Sequence, residues 1–125
     1  MKKQNYREFI TNSKLKVLAG KNQEQNESLV RKFIGKANII MHTALPGSPF
    51  CIILGNPNKK DLKEAAVFCS RYSQAWKKPK IKKDVEVHVF NGNDVYKTEN
   101  MKAGSFGVKK HKKIIVKKEN IKRLE

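Results

Sequence analysis

The chain has 125 residues, with 28 Lys+Arg against 11 Asp+Glu and a formal net charge of +17 at pH 7. That length suits one domain, and the 38% of hydrophobic residues fall in runs dense enough for a small core, which excludes wholesale disorder. No stretch approaches the ~20 apolar residues of a bilayer span, and Met1-Lys2-Lys3 runs straight into Gln4-Asn5-Tyr6-Arg7-Glu8, where a signal peptide would turn apolar.

Phe9-Ile10 and Leu15-Lys16-Val17-Leu18-Ala19 read as a first hairpin, turned by Asn12-Ser13-Lys14. Gly20-Lys21-Asn22 breaks the second strand. Residues 23–34 follow as a helix with Leu29, Val30, Phe33 and Ile34 at helical spacing, and Gly35 is a natural stop. Asn38-Ile39-Ile40-Met41-His42 is a short apolar strand. Pro46-Gly47-Ser48-Pro49 turns the chain into a fully apolar strand, Phe50-Cys51-Ile52-Ile53-Leu54. The next helix is expected at about 62–77, with Asp61 and Glu64 as a D-x-x-E capping box. Leu62, Ala65, Ala66, Cys69, Tyr72, Ser73 and Trp76 form its inner face, and Pro79 ends it. Val85-Glu86-Val87-His88-Val89 alternates like a half-buried strand. After the turn Asn91-Gly92-Asn93-Asp94, three short strands follow at 95–97, 105–108 and 113–116. Residues 118–125 form either a last short helix or a frayed end. The expected fold is α+β: a single compact domain across 1–125, with a mixed, mostly antiparallel sheet and two main helices. Its core spans about 6–117, and its basic C-terminal end spans 109–125.

Cys51 and Cys69 lie in apolar runs and form no CxxC, so both read as buried thiols. With no export signal, the expected compartment is the reducing cytoplasm. The charge is uneven. Residues 1–76 carry 13 basic and 5 acidic side chains, and residues 77–125 carry 15 and 6. The densest run is Lys109-Lys110-His111-Lys112-Lys113. Solubility needs a net charge of only ~2–8, so +17 points to a polyanionic partner. Only four of the cations are arginines. Lysine suits phosphate neutralisation more than bidentate base reading, which favours backbone or shape recognition.

Chemistry-bearing motifs are sparse. His42, His88 and His111 show no H-x-x-x-H and no cysteine partner at metal spacing, so no metal and no cofactor are expected. Ser48, Ser73 and Ser105 lack a G-x-S-x-G setting, and no carboxylate pair stands out for acid–base work. The chain does not read as an enzyme. Gly20-Lys21-Asn22 opens a helix and offers a generic anion site, although Asn there also suits a cap.

Taken together the motifs resemble a known module. Gly20-Lys21-Asn22-x-x-Gln25-Asn26-Glu27-x-Leu29 resembles the G-[RK]-N-x-x-Q-N-[DE]-x-L signature of the NFACT-R domain. The segment from Asn38 to Thr43, then Pro46-Gly47-Ser48, resembles its D-I-W-L-H-x and P-G-S-H. Glu64-Ala65-Ala66, Tyr72-Ser73-Gln74-Ala75-Trp76, Val95-Tyr96-Lys97-Thr98 and Gly104-Ser105-Phe106 resemble E-A-A, Y-S-x-A-W, V-x-K-T and G-S-F, the last two as in the archaeal and eukaryotic branch. The resemblance runs from about Phe9 to Val116. It departs at Asn38, Ile40, Met41 and Pro49, where the family has Asp, Trp, Leu and His.

The resemblance implies an RNA-binding module of the RqcH/FbpA and NEMF/Caliban family, linked to ribosome-associated quality control or to tRNA modification. The expected partner is structured RNA, tRNA or rRNA, with the ribosome as a further partner and no membrane. Lys21, Asn22, Asn26, His42 and Ser48 are expected to form a polar pocket. Lys97, Lys102, Lys109, Lys110, Lys112 and Lys113 are expected to neutralise phosphates. The alternatives are a DNA-binding or ribosome-docking adaptor and, further off, an RNA-processing enzyme.

Overall fold

A computed structural model describes residues 5–125; the Met1-Lys2-Lys3 start, read above as no signal peptide, lies outside the described residues. Strands β1 (Arg7–Ile10) and β2 (Lys16–Ala19) form the expected hairpin, with Lys14 at φ 74 in its turn. Helix α1 (Gln23–Arg31) starts at Asn22, whose side chain accepts the Gln25 N–H at 2.9 Å. It ends three residues before the predicted limit. There the Phe33 and Lys36 amides bond to the Val30 and Phe33 carbonyls instead of continuing the α pattern, and Gly35 takes φ +84.

Strands β3 (Ile39–His42) and β4 (Cys51–Leu54) follow, then α2 (Lys59–Arg71). The α2 cap differs from the D-x-x-E box at Asp61 and Glu64. The N-cap is Asn58, one turn earlier, which accepts from the Asp61 amide at 2.8 Å, while Asp61 accepts from the Asn58 amide at 3.0 Å. Asn caps as well as Asp, and Glu64 is occupied elsewhere, accepting the Asn12 N–H of the hairpin turn at 2.9 Å. Nor does the helix run on to 77. The Ser73 hydroxyl donates to the Ser70 carbonyl at 2.8 Å, and the Gln74 N–H turns away to Ser48 Oγ at 3.0 Å. The chain restarts as a single turn, α3 (Gln74–Lys77).

Strand β5 (Val85–Asn91) leads through a 3-10 turn into β6 (Val95–Tyr96), which pairs with β7 (Gly107–Val108). Strand β8 (Lys112–Val116) and helix α4 (Lys118–Leu124) close the fold. The large sheet has the order β1-β2-β4-β3-β5-β8, and every pairing in it is antiparallel. Because β4 lies between β2 and β3, and β3 between β4 and β5, each α-helical crossover spans a strand. The α+β architecture is therefore as expected.

Alternation along the strands gives the sheet two apolar faces. One carries Val17, Met41, Cys51, Ile53, Val87 and Val116 against α2, α3 and α4, with Trp76 and Ile121 buried among them. The other carries Ile40, Ile52 and Phe90 against Leu29 and Val30 of α1. Both cysteines are buried and free. Among the described residues no helix is long and apolar enough to cross a membrane.

Candidate nucleic-acid interface

The antiparallel register brings the end of β2, the end of β3 and the start of β4 to one edge of the sheet. There the 43–50 connection and the start of α1 frame a groove of about 1000 Å³. A second wall comes from residues 101–106. Arg7, Lys21, Lys77 and Lys102 line the groove, as do all three histidines, and no Asp or Glu is among the described residues lining it. A concave, low-dielectric surface of one sign focuses potential onto an anion.

Asn26 explains how this edge is assembled. It is 6% exposed. Its Nδ2 donates to the Ser48 carbonyl at 3.2 Å, and its Oδ1 accepts the Phe50 N–H at 3.1 Å. One amide thus pins the 48–50 loop to α1 and satisfies two backbone groups that would otherwise be orphaned. Gly20 lies so close that a Cβ there would overlap the Asn26 side chain. Ser48 is buried as well, its hydroxyl accepting from Gln74. Of the residues expected to form the pocket, Lys21, Asn22 and His42 line the groove beside Asn26 and Ser48, but the last two act as its scaffold. Asn22 is committed through its Oδ1 to the helix cap.

His42 is half-buried, its ring stacked on Phe50 with centroids 3.9 Å apart and planes 5° from parallel. Burial pushes its pKa down from 6.5 to about 4, against a backbone hydrogen bond at Ser48 that favours the charged form; nearby His88 adds to the depression. The ring is therefore neutral at physiological pH. Opposite His42 in the register is His88, which stacks on His111 at 4.1 Å and 20°. His88 Nε2 lies 3.0 Å from Glu86 Oε2. Among the described residues no group of three or more His, Cys, Asp or Glu side chains is placed to hold a metal.

Lys97 corrects one expectation. Its ammonium does not reach outward to phosphate. It donates to Glu27 Oε1 at 2.8 Å, to the Lys102 carbonyl at 2.6 Å and to the Ser105 carbonyl at 2.7 Å, which uses all three protons. The Phe106 ring sits 4.6 Å away. Glu27 also accepts the Gly104 N–H at 2.8 Å and pairs with Arg31. Burial alone would raise the Glu27 pKa, but the Lys97, Gly104 and Arg31 hydrogen bonds outweigh it and bring it down to about 2. The pair staples the 97–106 loop to α1 and so builds the groove wall. Gly104 takes φ +80 against the Gln23 backbone, a conformation and an approach that suit glycine alone.

The other expected phosphate cations are exposed. Lys102 lines the groove; Lys109, Lys110, Lys112 and Lys113 adjoin the groove-lining His111 in sequence, the last two on β8 at the sheet's edge. Lys113 comes within 3.9 Å of Glu86. Sequence reasoning passed over Arg7, Lys77 and the segment 77–83, where five lysines fall in seven residues. Within it Lys82 folds back, 2.5 Å from the Trp76 carbonyl and over the Trp76 ring. Lys77, Lys78, Lys80 and Lys83 remain exposed. Their density was readable in the sequence, but a lysine cluster after a helix end gives no sign of bordering a groove.

Comparison with known proteins gives the chain's relatives. The chain is 36% identical over 64 residues to the archaeal Rqc2 homolog aRqcH of Methanocaldococcus jannaschii, covering 49% of this chain and 10% of that protein. It is 32% identical over 72 residues to the ribosome quality control complex subunit NEMF of Homo sapiens, covering 54% of this chain and 7% of that protein. The matched segment thus spans about a tenth or less of these relatives. The fold is similar to that of the C-terminal part of the fibronectin/fibrinogen-binding protein from Streptococcus suis, with a TM-score of 0.81 and 22% identity over 98% of this chain and 50% of that one. The profile of the NFACT protein RNA binding domain matches residues 5–110, most of the chain, and the chain belongs to that family.

Proposed function

We propose that this protein binds structured RNA, tRNA or rRNA, through the groove at the sheet edge, and that it acts in the cytoplasm in ribosome-associated quality control or in tRNA modification. The observation that carries the reading is the composition of the groove: four cations and three histidines, with no carboxylate among the described residues lining it. Nucleic-acid affinity rests largely on such phosphate neutralisation. Family membership and the quality-control relatives point the same way. The module works by binding, without a cofactor and without catalysis. A histidine with a pKa of about 4 is a weak general base at neutral pH.

Titration of labelled tRNA at several salt concentrations tests this. Each engaged phosphate contributes ~0.7–0.9 to the slope of log K against log salt. Lys21→Gln with Lys102→Gln should weaken binding about tenfold and lower the slope by ~1.5. A salt-independent wild-type affinity refutes the reading. Tighter binding of duplex DNA than of tRNA moves it to a DNA adaptor.

A further inference from the structure

From the arrangement of rings in the groove we infer that it captures unpaired nucleotides, their bases stacking on the histidine row while lysines hold the phosphates. This rests on the RNA-binding reading and narrows it to a substrate class: single-stranded stretches such as loops or free ends, not the body of a duplex.

The rings form two groups on neighbouring strands. Phe106 meets Phe50 edge to face at 5.6 Å, and Phe50 stacks under His42. His42 is the register partner of His88, and His88 stacks on His111. The two groups thus lie side by side, from Phe50 just before β4, through His42 on β3 and His88 on β5, to His111 just before β8. Phe50 is 4% exposed and anchors the row in the core. His111 is exposed and lines the groove. Phosphate contact alone has no use for such a floor; solvated lysines suffice for that. Flat π faces beside a charged rim are what sequence-tolerant single-strand binding needs, and histidine is one of the residues on which splayed RNA bases stack. Lys21, Lys77 and Lys102 line the same groove as the rings. The scarcity of arginine fits a surface that stacks bases without reading their edges. A duplex presents phosphates and a shallow minor groove but keeps its base faces buried, so it cannot use the row.

The test compares three fluorescently labelled RNAs: a 12-nucleotide single strand of mixed sequence, its duplex, and the same strand with abasic sites at alternate positions. The single strand is expected to bind about tenfold tighter than either of the others. His88→Ala with His111→Ala should cost the single strand about tenfold and leave the abasic strand within twofold. His111→Phe, which keeps a stacking face, should retain most of the affinity. Melting temperatures monitor the fold, and His111→Ala alone, at an exposed position, keeps the comparison informative if the double variant is damaged. Equal binding of single strand, duplex and abasic strand overturns the inference and leaves RNA binding standing. So does an alanine effect of the same size on the abasic strand. If the wild-type protein binds none of the three, the groove reading falls with it.

Discussion

His42 stands where the apolar sheet meets the groove, and its two surroundings set its chemistry. Phe50 covers one ring face and Ser48 holds the ring through its backbone. Burial makes the imidazolium costly, so the pKa falls to about 4. A base held below its ordinary value binds a proton less readily in the folded state than in the unfolded one. Its contribution is therefore complete above pH 6.5 and is lost as pH falls from there through 4, by at most about 3 kcal/mol. Urea unfolding of wild type and His42→Phe at pH 7, 5.5 and 4.5 isolates this. The wild type should lose more stability than the variant between the first and last pH, since Phe keeps the stack but cannot protonate. Parallel losses would show that His42 titrates alike in both states. Glu27 shifts stability in the same direction for a different reason. Its carboxylate is held at about 2, so its contribution is present above pH 4.5 and is lost as pH falls from there through 2. The two windows are separate enough to distinguish in one pH series.

Between elements, the link that shapes the groove is the ion pair from α1 to the 97–106 loop. Lys97 and Glu27 are 70 residues apart in sequence, and their side chains are 11% and 19% exposed. Lys97→Met should leave Glu27 with Arg31 and the Gly104 amide but release the Lys102 and Ser105 carbonyls. The expected cost is roughly 1–3 kcal/mol, with faster hydrogen exchange across residues 98–106. The same variant should change the tRNA salt slope less than Lys102→Gln does; a larger change would restore Lys97 as a phosphate contact. Such long-range pairing explains what could be read from the chain and what could not. The alternation of Val85, Val87 and Val89 and the apolar face of α2 are local patterns, and they came through as a strand and a helix. The Asn26 clamp and the Lys97 staple depend on which loops the sheet order brings together, and no spacing rule encodes that. The Asn22 cap was legible because its bond is to a residue three positions on. The split between α2 and α3 was not, because a tertiary hydrogen bond to Ser48 turns the Gln74 amide out of the helix.

Across the whole molecule, a charge of +17 raises the question of which cations face the ligand. Some are consumed internally: Lys97 by Glu27, Lys82 by the end of α3, and Lys117 in part by Asp84 at 3.6 Å. Two exposed sets remain beside the groove. One is Lys109, Lys110, Lys112 and Lys113, next to His111. The other is Lys78, Lys80 and Lys83, which follow the groove-lining Lys77 around the loop before β5. That loop also borders Lys117 and Lys118 at the start of α4, with Asp84 and Glu119 among them. We propose that an RNA longer than the groove follows these exposed lysines. Replacing Lys78, Lys80 and Lys83 by Gln should lower the tRNA salt slope by about 2, and replacing the four lysines of the 109–113 run by about 3, at ~0.7–0.9 for each phosphate released. The two sets share no hydrogen-bond or ion-pair partner among the described residues, so their effects should add. A 12-nucleotide strand confined to the groove should respond to the loop set far less than tRNA does. If the loop variants leave the tRNA slope unchanged, those lysines only solvate the surface, and the bound chain leaves the groove by another side.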